Sequence, residues 1–215
     1  MSAPSEATAL VGQNGRALPI DTLVGRYMQQ KQVSGVVVAI IQRNGPAEFH
    51  CYGVTDAKNR YPITPDTLFA LGSLSKGTTA EAIALLVNEG RLHWDDTLLT
   101  LLPPGTPLSD DAKKITLLQL VTHTSGLPRQ PMNLLSLEHL LVYLSDGENF
   151  YHELDSDNVL GYLSTFDAPL TREPKYSNLG YAILGYLLTY QTGESIESLA
   201  WRKIFQPLAM QSTSY

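Results

Sequence analysis

Leu68-Phe69-Ala70-Leu71-Gly72-Ser73-Leu74-Ser75-Lys76 is an apolar run that breaks at a glycine and continues into a long helical pattern carrying a serine and a lysine. From Ser75 to Leu92 the residues Ala80, Ile83, Ala84 and Val87 recur at helical spacing, with Leu85 and Leu86 on a neighbouring row, so a helix is expected to begin at or just before Ser73. Residues i and i+3 share a helical face, which sets the Lys76 ammonium beside the Ser73 hydroxyl. A lysine desolvated in a closed pocket loses part of its preference for the charged form and can accept a serine proton. Ser73 also stands at the positive end of the helix. Its own N–H is among the donors left free there, ready to receive the oxygen of a carbonyl under attack. The plain structural reading competes with this one: serine before a helix is a favoured N-cap, and a lysine one turn later is usually solvated. The four letters S-L-S-K alone do not choose between them.

Upstream, Leu23, Val24, Tyr27 and Met28 share one face of an amphipathic helix expected over Ile20 to Gln32 and starting near Asp21. The β-branched run Val36 to Ile41, turn chemistry at Asn44-Gly45-Pro46 and a return strand from Ala47 to Val54 predict a hairpin buried on at least one side. Tyr61 to Thr67 is an extended connector. Downstream, Gly90 stops the Ser73 helix, and His93 to Leu99 leads to a loop at Pro103-Pro104-Gly105. Short helices are expected over Ile115 to Val121, started by Thr116, over Leu134 to Leu144 and over Val159 to Phe166. The last two are separated by the acidic stretch Ser145 to Asn158. A longer helix is expected over Asn178 to Thr192, ended by Gly193, and a last one over Ser195 to Ile204. The fold class is therefore α+β. Residues 1–18 are expected to form a flexible arm, 19–65 a helix and hairpin, and 66–215 a mainly helical lobe. A lone hairpin does not make a stable sheet, so further strands are expected from a longer parent chain or from another molecule.

The net charge of −6, without a basic run, argues against nucleic acid and anionic membrane surfaces as partners. No stretch is long and apolar enough for a membrane helix, and the first twenty residues lack a basic region followed by an apolar core. Cys51 is the only cysteine, which excludes an internal disulfide. The compartment is left open between periplasmic or secreted, with a leader removed, and cytoplasmic. His50, His93, His139 and His152 show no metal-ligand spacing, so neither a metal nor a cofactor is expected. No G-x-S-x-G elbow or glycine-rich phosphate loop is present, which removes α/β-hydrolase and nucleotide-binding chemistry.

A second constellation, Tyr176-Ser177-Asn178, lies just before the Asn178 helix. A buried tyrosine beside a lysine is a plausible proton carrier, because the cation favours the phenolate while burial opposes it. An asparagine amide can donate to a substrate carbonyl and fix the lysine. The structural alternative is that Ser177 or Asn178 caps the helix and Tyr176 fills space.

Ser73-Leu74-Ser75-Lys76 matches the S-x-x-K signature of β-lactamases and penicillin-binding proteins, and Tyr176-Ser177-Asn178 matches a Y-x-N second motif. Together with Thr64-Pro65-Asp66-Thr67-Leu68-Phe69, His123-Thr124-Ser125-Gly126-Leu127-Pro128 and Ile204-Phe205-Gln206-Pro207-Leu208-Ala209-Met210, the chain resembles the serine β-lactamase and penicillin-binding-protein superfamily. The likeness is greatest to the class C branch with its related esterases and D-amino-acid peptidases, and covers roughly residues 20 to 215. It implies a β-lactamase/transpeptidase-like fold. It further implies a Ser73 that is acylated, Lys76 and Tyr176 sharing the work of general base and acid, and Asn178 contacting the substrate amide or ester carbonyl. The implied substrate is a β-lactam, a peptidoglycan-type D-alanyl peptide or a small carboxylic ester, and the acyl-enzyme is released by water or another acceptor. His123 invites a triad with Ser73, but in the resembled family its loop is structural.

Two departures stand out. Ala168 to Lys175 replaces the Pro-Gly that usually precedes Y-x-N, so that side of the cleft is expected to differ. The third motif, K-T-G or H-x-G, is not reached before Tyr215. The expectation is an N-terminal portion lacking C-terminal strands, with nucleophile and base but half an oxyanion hole, and losing one oxyanion donor costs about 10² to 10³ in rate. The competing reading is a catalytically incomplete half-domain that acts as a binding module, pairing with a C-terminal complement or with itself through the hairpin edge.

Overall fold

The computed structural model describes residues 19–215 except 44, 57, 59, 131–155, 171 and 172, and only the backbone of 156–158. The expected arm, the expected Leu134 to Leu144 helix and most of the acidic stretch lie outside the described residues. The chain divides into two compact units, residues 1–70 and 71–215.

In the first unit, helix α1 (Ile20–Lys31) ends at Gln32 in the left-handed conformation. Strands β1 (Gly35–Ile40) and β2 (Glu48–Gly53) pair antiparallel, in register from Gly35 opposite Gly53 to Ile40 opposite Glu48. The Tyr52 hydroxyl donates to the Asp21 carboxylate at 2.7 Å and ties the ribbon to α1. The expected one-sided burial is not met: no residue of either strand is fully buried, and Ala39 and Phe49 are exposed. The buried apolar residues described in this unit are Val24 and Ile63. One helix and two strands have too little surface to cover a sheet face.

The second unit is helical. A 3₁₀ turn, Gly72–Leu74, leads into α2 (Ser75–Asn88), so the regular helix starts two residues later than Ser73, after Gly72 has bent the chain at φ 53°. Short helices α3 (Leu98–Leu101) and α4 (Leu117–Val121) follow. Thr116 begins α4 with a capping box: its hydroxyl accepts the Gln119 N–H at 3.2 Å, and the Gln119 side chain accepts the Thr116 N–H at 3.1 Å. Helix α5 (Ser156–Gly161) tightens into a 3₁₀ turn at Tyr162–Ser164, where one longer helix was expected. Helix α6 (Asn178–Thr192) ends at left-handed Gly193, and α7 (Ile196–Ala200) widens into a π-helical turn at Trp201–Phe205.

Helix α2 contributes Ala82, Ile83 and Leu86 to the core, and α6 contributes Ile183, Leu184 and Leu187. All are buried together with Leu120, Leu163 and Leu199. Each large apolar side chain so buried is worth about 1.5–3 kcal/mol, which fixes α2 and α6 as the rigid elements of the unit. Gly126 holds a turn beside them at φ +83°, and a Cβ there would meet Pro169 Cδ at 2.7 Å and Cγ at 2.9 Å. Gly126→Ala is expected to lower stability by about 1–3 kcal/mol through the left-handed backbone, with the ring contact adding to it. The urea midpoint reads this directly, and an unchanged midpoint would show that the turn relaxes freely.

Candidate active site

The two rigid helices bring their leading residues together. Ser73 sits in the 3₁₀ turn ahead of α2, and Lys76 lies one turn further on. Of the two serines, Ser75 turns its hydroxyl back onto the Gly72 carbonyl at 2.8 Å, leaving Ser73 to face the site. The Lys76 ammonium donates to Ser73 Oγ at 3.4 Å. Ahead of α6, the Tyr176 hydroxyl lies 2.7 Å from the same Oγ across 103 residues of sequence. Ser73 Oγ is thus shared between a phenol and an ammonium.

Ser177 is buried and is the true cap of α6: its hydroxyl accepts the Gly180 N–H at 2.9 Å and donates to the Pro128 carbonyl at 2.7 Å. The structural alternative therefore holds for Ser177 but not for Tyr176, which is 38% exposed and faces Ser73. Asn178 is the first residue of α6, and its backbone N–H donates to the Arg129 carbonyl at 2.9 Å.

Cations and rings surround the tyrosine. Lys76 Nζ is 5.1 Å from the centroid of Tyr176 and 5.7 Å from that of Tyr181, while the Arg129 guanidinium is 5.6 Å from the Tyr176 centroid. Burial pushes the Tyr176 phenol up, but hydrogen bonds with Lys76 and Ser73 and the charges of Lys76 and Arg129 outweigh it. The group lies below its ordinary value. Tyr181 is held in place by donating its hydroxyl to the Val121 carbonyl at 3.0 Å, and burial raises its phenol.

Arg129 and Tyr181 were not visible in the sequence as part of the site. Nothing distinguishes a lone arginine after Leu127-Pro128, and Tyr181 reads as one more helix residue. Arg129→Met is expected to move the Tyr176 phenol upward, because one of its two cations is removed. The pH at which Ser73 labelling reaches half its alkaline plateau should rise accordingly, and an unmoved midpoint would show the guanidinium to be electrostatically idle.

Among the described residues, no three His, Cys, Asp or Glu side chains gather as metal ligands, and no helix is long and apolar enough to cross a membrane.

The profile of the Beta-lactamase family matches residues 20–215, and the chain belongs to that family. It is 31% identical over 200 residues to a beta-lactamase of Pseudomonas fluorescens, covering 90% of this chain and 49% of that one. It is 28% identical over 199 residues to the D-alanyl-D-alanine-carboxypeptidase/endopeptidase AmpH of Escherichia coli K12, covering 91% and 49%. Its fold is β-lactamase/transpeptidase-like: a class C beta lactamase from Rhodobacter sphaeroides superposes with a TM-score of 0.68 at 27% identity, covering 86% of this chain and 47% of that one. The chain spans about half the length of the curated relatives it matches.

Proposed function

We propose that the chain carries the nucleophile and the proton-transfer groups of a serine hydrolase acting through an acyl-enzyme. The substrate class is a carbonyl compound with an amide or ester leaving group: a β-lactam, a D-alanyl peptide of the peptidoglycan type, or a small carboxylic ester. The observation that carries this reading is the 2.7 Å approach of the Tyr176 hydroxyl to a Ser73 Oγ already in contact with Lys76. A cap serine needs neither partner.

In the proposed reaction, Ser73 Oγ attacks the carbonyl carbon as its proton passes to the Tyr176 phenolate, which Lys76 and Arg129 favour electrostatically. The carbonyl π pair moves to oxygen, where the Ser73 N–H at the head of α2 stabilises it. Collapse breaks the carbon–nitrogen or carbon–oxygen bond. Tyr176 returns its proton to the leaving group, leaving Ser73 acylated. Water then attacks the ester, giving a proton to Tyr176, and Ser73 leaves with that proton regained. Asn178 contacts the substrate carbonyl side. Membership of a family that contains a beta-lactamase and a carboxypeptidase supports the reaction type.

Intact-mass spectrometry after incubation with a fluorescent penicillin, and separately with a fluorophosphonate, tests the reading, with Ser73→Ala as control. One adduct per chain, absent in Ser73→Ala, is the expected result. No adduct from a folded sample would overturn it, and a stable adduct without turnover would favour the binding-module alternative.

A further inference from the structure

His123 occupies a position at which its backbone is left-handed and its side chain accepts a hydrogen bond from the Tyr176 segment. Helix α4 ends in a Schellman turn: the Thr124 N–H donates to the Gln119 carbonyl at 2.9 Å, and the His123 N–H donates to the Leu120 carbonyl at 3.2 Å. His123 is the left-handed residue of that turn, at φ 60°, a place where glycine is the usual occupant. Histidine adopts this backbone more readily than most side-chain-bearing residues but still less readily than glycine, so its presence asks what the imidazole does.

The imidazole touches the segment that carries Tyr176 at several points. Its Nδ1 accepts the Ser177 N–H at 3.1 Å, and the His123 backbone carbonyl accepts the Lys175 N–H at 2.7 Å, so the residues on either side of Tyr176 are fastened to one residue. The ring lies 4.6 Å from the Tyr176 ring and 5.1 Å from the Tyr181 ring. We propose that His123 is a positioning residue of this site, whose neutral imidazole, accepting at Nδ1, holds the Tyr176 hydroxyl over Ser73. The proposal rests on the acyl-enzyme reading and adds to it an acid-side limit on activity.

The acceptor role fixes the tautomer. Nδ1 must carry a lone pair, so the ring proton sits on Nε2, and a second proton on Nδ1 would set a donor against the Ser177 N–H. The titratable and charged groups facing the ring are Lys76 from α2, Tyr176 from the segment before α6 and Tyr181 from α6. Burial first, and then the Lys76 charge, hold His123 below its ordinary value, so the neutral form persists into mildly acid solution. Protonation below that point releases the Tyr176 segment, and acylation falls.

Two variants separate positioning from mere folding. His123→Gly places the favoured residue in the left-handed position, so stability should hold or rise. The loss of ring and acceptor should nevertheless slow Ser73 labelling by about 10²-fold, the scale set by an ångström of misplacement. His123→Asn tolerates the left-handed backbone and presents an oxygen near Nδ1, so it should recover much of that rate without a titrating group at 123. Its acid-side midpoint should then disappear or move. The experiment measures fluorophosphonate labelling rates against pH for the wild-type chain and both variants, with urea midpoints, and the imidazole ¹⁵N shifts of the wild type. Nε2–H shifts, a stable but slow glycine variant and a flattened acid limb in the asparagine variant are expected. A glycine variant labelled at the wild-type rate, or Nδ1–H shifts, would overturn the proposal. A wild-type chain that takes no label would instead sink the acyl-enzyme reading, while the ¹⁵N shifts would still decide the tautomer.

Discussion

Tyr176→Phe is expected to slow the proposed acylation of Ser73 by at least about tenfold, and by about 10²-fold or more if general base catalysis contributes its usual share. The substitution removes one oxygen and leaves the ring contacts with His123 and Lys76 in place. The lost oxygen is the one 2.7 Å from Ser73 Oγ, so the nearest proton acceptor is gone while the cation at 3.4 Å remains. Stability should barely change, since the Tyr176 hydroxyl contacts an exposed serine rather than the core. Labelling rates with the fluorophosphonate, compared at several pH values, provide the measurement. The deficit should persist at every pH, because phenylalanine cannot be deprotonated. Wild-type labelling by the variant would remove Tyr176 from the proton path and leave Lys76 as the sole base.

The parts of this site that could be read in advance are those governed by local rules. Ser73 and Lys76 share a face because i and i+3 always do, and the Asn178–Thr192 helix declared itself by its apolar period and its closing Gly193. Thr116 marked the start of α4, where the structure shows a capping box with Gln119. Meeting of the two motifs is a different matter. No local rule brings Tyr176 to Ser73, and that pairing was available only through family resemblance. The role of His123 was hidden for a more specific reason. A Schellman ending is legible when glycine marks it, and here the marker is replaced by the residue that uses the position. Burial of the hairpin was overestimated because β-branched runs report a preference for covered faces, and not whether anything within the unit covers them.

Lys76→Ala should match or exceed the Tyr176→Phe deficit near neutral pH, and it should differ from it in pH dependence. The substitution deletes one of two donors to Ser73 Oγ and also the charge 5.1 Å from the Tyr176 ring centroid. Hydrogen bonding and charge from Lys76, with the Ser73 hydrogen bond and the Arg129 charge, offset burial at Tyr176, so the phenol moves upward when the lysine is lost. Less phenolate is then present at neutral pH. Raising the pH restores it, so the Lys76→Ala deficit should shrink in alkaline solution while that of Tyr176→Phe does not. The two groups act on one proton, which makes their effects non-additive: the double variant should be little slower than the slower single one. A Lys76→Ala deficit that stays constant with pH would reverse the assignment. Lys76 would then be the group that takes the proton, and Tyr176 the group that orients it.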